Sequence, residues 1–153
     1  MSARAAGIRL LAAAAVAVSL GGCAHLVVLH DPLSATEHND LGVAYEAGGQ
    51  PKLAAREYHR SLHLDAHQGR ARVNLGNVDA ARGRWRAAEK SYRRALRDSS
   101  ADADAMNNLA IALHRQGRRP DEARAWAARA VTTGGPRDSL YRATLAEVDR
   151  RAP

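Results

Sequence analysis

Three observations predict an all-α array of repeated helix pairs. The first is a fixed period. Asp40-Leu41-Gly42-Val43, Asn74-Leu75-Gly76-Asn77 and Asn108-Leu109-Ala110-Ile111 follow one another at steps of 34 residues. Gly49, Gly83 and Gly117 keep that step, and so do Tyr58 and Tyr92. A period of this size marks stacked supersecondary units. The second is composition. Phenylalanine is absent and aromatics make up 4% of the chain, so the core must be built from Leu, Val and Ala, which favours closely packed helices. The third is the near absence of strand signals. The length of 153 residues allows one domain.

The chain begins with a segment outside this array. Arg4 and Arg9 give a positive start, and Leu10 to Leu20 is an apolar run of eleven residues. That is too short to span a bilayer and suits a signal peptide. The run ends Leu20-Gly21-Gly22-Cys23, which resembles the lipobox of bacterial lipoproteins. A generic small-residue cleavage site is the alternative. The resemblance implies cleavage after residue 22 and lipidation of Cys23, the single cysteine of the chain. Several acyl chains at ~0.8 kcal/mol per buried CH₂ make a stable anchor. With Cys23 consumed, the mature domain has no disulfide, thiol catalysis or Cys-based metal site. Ala24, rather than aspartate, follows the cysteine, which by the same resemblance favours the outer membrane, facing the periplasm. Residues 23–33 are then a lipidated N-terminus and tether, with Leu26-Val27-Val28-Leu29 unusually apolar for a linker.

Ser34 is the expected N-cap of the first helix, with Glu37 completing a capping box. Six helices are expected at 35–48, 52–65, 69–82, 85–98, 102–116 and 121–133, each ~21 Å long. The glycines at 49, 83 and 117 suit positive φ at the end of each first helix. Gly134-Gly135-Pro136 breaks the chain, and a last helix should run from 138 to 150. The turn after Gly117 is one residue longer than its counterparts.

These markers resemble the tetratricopeptide repeat (TPR). Repeat one reads Leu41-Gly42, Tyr45, Ala54, Tyr58, Ser61; repeat two Leu75-Gly76, Ala88, Tyr92, Ala95; repeat three Leu109-Ala110, Ala123, Ala130. The resemblance covers residues 35 to 135. It implies a right-handed superhelix of three helix-turn-helix repeats (35–68, 69–102 and 103–136, within 34–135), closed by a capping helix over 137–151. Arg142, Glu147, Asp149 and Arg150 give that helix a wettable outer side. Small residues at 42, 76 and 110 should sit where two helices cross, with leucines and tyrosines filling the space between pairs. Asp79 replaces the usual tyrosine, and Ala127 the usual aromatic, with Trp126 displaced by one. Tyr45, Tyr58, Tyr92, Trp85, Trp126 and Tyr141 read as packing residues, Tyr141 partly exposed.

No catalytic constellation stands out: no HExxH, nucleophile elbow, P-loop or framed carboxylate pair. The chain reads as a binding module, not an enzyme, with no cofactor, metal or small-molecule substrate. Asn39, Asn74, Asn77, Asn107 and Asn108 lie on first helices, which in a TPR array line the concave groove. An amide both donates and accepts, so such a row can hold the backbone of an extended peptide. A solvated polar groove is the alternative. The basic positions of chaperone-binding TPRs are occupied by Asn39, Asp104 and Asn108, so capture of a C-terminal carboxylate is not expected. Arg86, Lys90, Arg93 and Arg97 form a convex basic stripe, either a solvated face or a contact for anionic headgroups or an acidic partner. His59, His63 and His67 are spaced by four, but no carboxylate or cysteine completes a metal site.

Net charge is +7, falling to +5 once residues 1–22, with two arginines and no acid, are removed. A secreted protein of this charge points to anionic lipid, glycan or an acidic protein rather than nucleic acid. The expected function is a membrane-anchored interaction scaffold or assembly factor whose partners are other cell-envelope proteins, resembling TPR lipoproteins of pilus and secretion-system assembly. An accessory subunit that docks a peptidoglycan hydrolase or a peptidase is the alternative.

Overall fold

The computed structural model describes residues 31–150. The signal segment 1–22, Cys23 and the apolar Leu26 to Leu29 lie outside the described residues. Pro32 onward forms one compact unit. Its helices are α1 (Ala35–Ala47), α2 (Pro51–Leu64), α3 (Gly69–Ala81), α4 (Trp85–Asp98), α5 (Ala103–Gln116), α6 (Pro120–Thr133) and α7 (Asp138–Arg150). There is no strand among the described residues. None of these helices is long and apolar enough to cross a membrane.

Local chemistry sets the ends. Ser34 and Glu37 form the capping box, Ser34 N–H donating to Glu37 Oε2 at 2.8 Å. Asp102 caps α5 by accepting from the Ala105 N–H at 2.8 Å. Gly49, Gly83 and Gly117 take φ of +69°, +70° and +64°, the left-handed region that reverses the chain after each first helix. The longer turn after Gly117 is absorbed by starting α6 at Pro120, whose missing N–H is harmless at the first helical position.

Each pair closes on a tyrosine. The Tyr92 ring lies on Gly76 and the Tyr58 ring on Gly42, so a Cβ at either glycine would meet ring carbons. The tyrosines, expected in the space between pairs, also cover the glycine of their own pair. The Tyr58 hydroxyl donates to Glu46 and the Tyr92 hydroxyl to Asn77 Oδ1 at 2.9 Å. Burial is the main cause of the raised pKa of both phenols. Asp79, at the usual tyrosine position, accepts from Arg84 Nε at 3.1 Å.

Stacking is sequential. α2 packs on α3, α4 on α5, and α7 on both α6 and α5. Tyr141 is buried rather than partly exposed, because its hydroxyl reaches back to Asp104 at 2.7 Å. Burial and that hydrogen bond push the phenol up to about 12. Trp85 and Trp126 are half-buried against the main core, with the Arg129 guanidinium 4.2 Å from the Trp126 ring centre.

Candidate functional site

The first helices α1, α3 and α5 touch in succession, whereas the second helices α2, α4 and α6 share no backbone contact with one another. The first helices therefore line the inner face and the second helices splay apart on the outer one.

The five asparagines divide between that face and the interior. Asn39 and Asn107 are each 1% exposed. They share a register with Val73 and point into the packing, so neither offers its amide to a ligand. Asn74, Asn77 and Asn108 are half-buried. Asn74 Nδ2 donates to Asn39 Oδ1 at 3.0 Å, and Asn108 Nδ2 donates to Asn77 Oδ1 at 3.0 Å. Asn77 Oδ1 therefore accepts twice, from Asn108 and from Tyr92. These bonds stitch repeat to repeat and fix the amide planes.

Donor capacity remains. An asparagine amide carries two N–H groups. Asn77 Nδ2 uses neither on the described residues, and Asn74 and Asn108 use one each. Asn77 and Asn108 open into a pocket of about 260 Å³ lined also by Ala81, Trp85, Tyr92 and Ile111. Fixed amide donors beside an aromatic and an aliphatic wall can hold a peptide carbonyl and its side chain together.

The basic stripe is not uniform. Arg86, Lys90 and Arg97 are exposed. Arg93 instead bridges second helices: it pairs with Glu89 at 2.9 Å and with Glu122 of α6 at 2.5 Å. Arg119 completes the network by pairing with both Glu89 and Glu122. Burial raises the Glu89 carboxyl, but hydrogen bonds from Gln116, Arg93 and Arg119 outweigh it and hold the group below its ordinary value.

The histidines also part company. His67 lies beyond α2 and pairs with Asp98 at 3.0 Å. His59 and His63 face a cleft between α2 and α4. A further pair has no period partner in the sequence. His38 of α1 donates from Nδ1 to Glu57 Oε2 of α2 at 2.9 Å, both residues 1% exposed. Arg60 adds a second bond to Glu57 at 2.9 Å.

The tetratricopeptide-repeat family model matches residues 67–139. No curated protein matches the chain. Among solved structures it is similar to the first TPR of Spaghetti (RPAP3) bound to an HSP90 peptide, at 16% identity and TM-score 0.71, covering 76% of this chain and 90% of that one. It is similar to the second TPR domain of human RPAP3 in complex with an HSP70 peptide, at 17% identity and TM-score 0.69, covering 75% and 94%. It is also similar to the Arabidopsis OM64 TPR domain, at 16% identity and TM-score 0.71, covering 77% and 96%. These likenesses concern the fold. Residues 67–139 match the tetratricopeptide-repeat family model, and the helices from Ala35 to Arg150 share the fold of TPR domains.

Proposed function

We propose that the chain is a protein–protein interaction scaffold of the bacterial cell envelope. Its inner face takes an extended segment of a partner protein through Asn74, Asn77 and Asn108. Lipid on Cys23 holds it to the outer membrane, facing the periplasm, and its partners are other envelope proteins. Assembly of a pilus or secretion system is the role that this architecture resembles, a fold-level analogy.

The observation that carries the reading is the pocket beside Asn77 and Asn108. Its amides are oriented by neighbouring repeats and still hold unused donors. Groups fixed before binding lose less entropy on binding. Two structures of similar fold, those of RPAP3, hold peptides.

The test replaces Asn74, Asn77 and Asn108 by alanine together and captures partners from detergent-solubilised membranes. Each neutral hydrogen bond contributes only ~0.5–1.5 kcal/mol net, so a single change is a weak test. The triple change should weaken capture at least about tenfold, since ~1.4 kcal/mol is a factor of ten. Alanine is the better helix former, by up to ~0.7 kcal/mol per site, which offsets part of the lost stitching. Circular dichroism confirms that the variant is folded at the binding temperature. Undiminished capture by the folded variant would reject the asparagine face as the site.

A further inference from the structure

On the outer face two gaps between second helices can be compared. The gap between α4 and α6 is filled by opposite charges: Glu89 and Arg93 on one side, Glu122 and Arg119 on the other. The gap between α2 and α4 is not. Ala55 stands one period before Glu89, and Ala87 stands where α6 has Glu122. The acids that would bridge the two helices are missing. His59 and His63 come from α2 and Arg94 and Arg97 from α4, leaving a cleft of about 510 Å³.

None of these four side chains has a hydrogen bond or ion pair among the described residues. The one carboxylate that lines the cleft is Asp98. It is already engaged, accepting from His67 at 3.0 Å and from Arg72 Nε at 3.1 Å. Those hydrogen bonds, His67's first, hold it below its ordinary pKa. The floor is apolar in part, with Leu62 and Leu75 beside the charged walls.

We infer that the cleft between α2 and α4 binds an acidic, extended polypeptide segment, with Arg94 and Arg97 pairing its carboxylates and His59 and His63 donating hydrogen bonds from the opposite wall. An arginine fork matches a carboxylate in geometry, and a neutral imidazole still donates one N–H. The mixture of basic walls and an apolar floor suits a peptide, whose carboxylates and side-chain carbons are both served. The charges line a trough floored by α3. A chain can enter it, whereas a flat bilayer meets only its rim. This surface lies opposite the asparagine face and stands independently of the function proposed for it.

The experiment titrates the full-length protein, in detergent, into fluorescein-labelled octaglutamate and reads anisotropy. Binding should weaken with added salt, as expected of screened charges. R94Q/R97Q should lower affinity at least about tenfold. Control R70Q/R118Q removes two other unpaired arginines, both outside the cleft, and should leave affinity unchanged. A parallel arm uses phosphatidylcholine vesicles containing phosphatidylglycerol. Absent octaglutamate binding, equal affinity in R94Q/R97Q, or an equal loss in R70Q/R118Q overturns the inference. So does vesicle binding that depends on Arg94 and Arg97 when the peptide does not bind, which would assign the cleft to lipid.

Discussion

Gly76→Ala adds one carbon at the centre of the array. The new Cβ would lie 2.5 Å from Tyr92 Cε1, 2.9 Å from Cδ1 and 3.0 Å from Cζ. These are sub-contact distances to a flat, stiff ring rather than to the end of a flexible side chain. The ring has nowhere to go. Tyr92 is buried, belongs to the main core and is held at its hydroxyl by Asn77. Overpacking of this kind costs ~1–3 kcal/mol. Helix propensity works the other way, alanine being favoured over glycine by ~1 kcal/mol. The net destabilisation is up to ~2 kcal/mol, within a total near ~5–15 kcal/mol. For a chain of this size that is a fall in melting temperature of a few degrees, ~2–4 °C per kcal/mol. Thermal melts by circular dichroism read it. Gly76→Leu should fall further. In a Tyr92→Leu background the sign should invert, because propensity then acts without the clash. A Gly76→Ala protein that melts higher than wild type would refute the crossing.

His38→Leu removes a hydrogen bond to a buried carboxylate, worth about 1.5–3 kcal/mol; an unchanged melt would show that α1 is not locked to α2 by this pair. Acid should weaken the α4–α6 contact. Glu89 and Glu122 sit below the ordinary 4.5 because hydrogen bonds, from Arg93 to both, outweigh burial. Their folded pKa is depressed, so this stability is fully present above the unfolded value and is lost as pH falls through the lower folded one. E89Q should melt lower than wild type at neutral pH and lose less on acidification, and an identical acid limb would contradict the network. Cys23→Ala should abolish acyl labelling and leave the precursor uncleaved; normal processing would sink the lipid anchor.

The periodic part of the molecule was legible because each marker has a backbone reason. Gly49, Gly83 and Gly117 announce a left-handed turn, and Gly42 and Gly76 a close approach at a helix crossing, but not that a tyrosine ring makes it. The helix ends follow from the same signals, within a residue or so. What the period could not show is what occurs once. His38 and Glu57 have Arg72 and Ser91 one step on, so their buried pair leaves no repeating trace. The Glu89–Arg93–Glu122–Arg119 network depends on which face of α6 follows a turn longer by one residue. The asparagines were legible by type and only partly by direction. Asn39 and Asn107 fall one residue before the register of Asn74 and Asn108, and one residue turns a helical side chain by about 100°. That rotation takes two amides from the inner face into the core. Tyr141 reads as only partly buried in the sequence because its partner, Asp104, lies 37 residues away on a different helix pair.

The proposed function rests on the inner face, between the first helices, receiving a partner. A photo-crosslinking residue at Ala81, exposed at the edge of the Asn77–Asn108 pocket, tests it in living cells. Ala125, exposed on α6, is the matched position away from the pocket. A discrete protein adduct is expected from position 81, disappearing when Asn74, Asn77 and Asn108 are changed to alanine, and none from position 125. An adduct from 125 with none from 81 would contradict it.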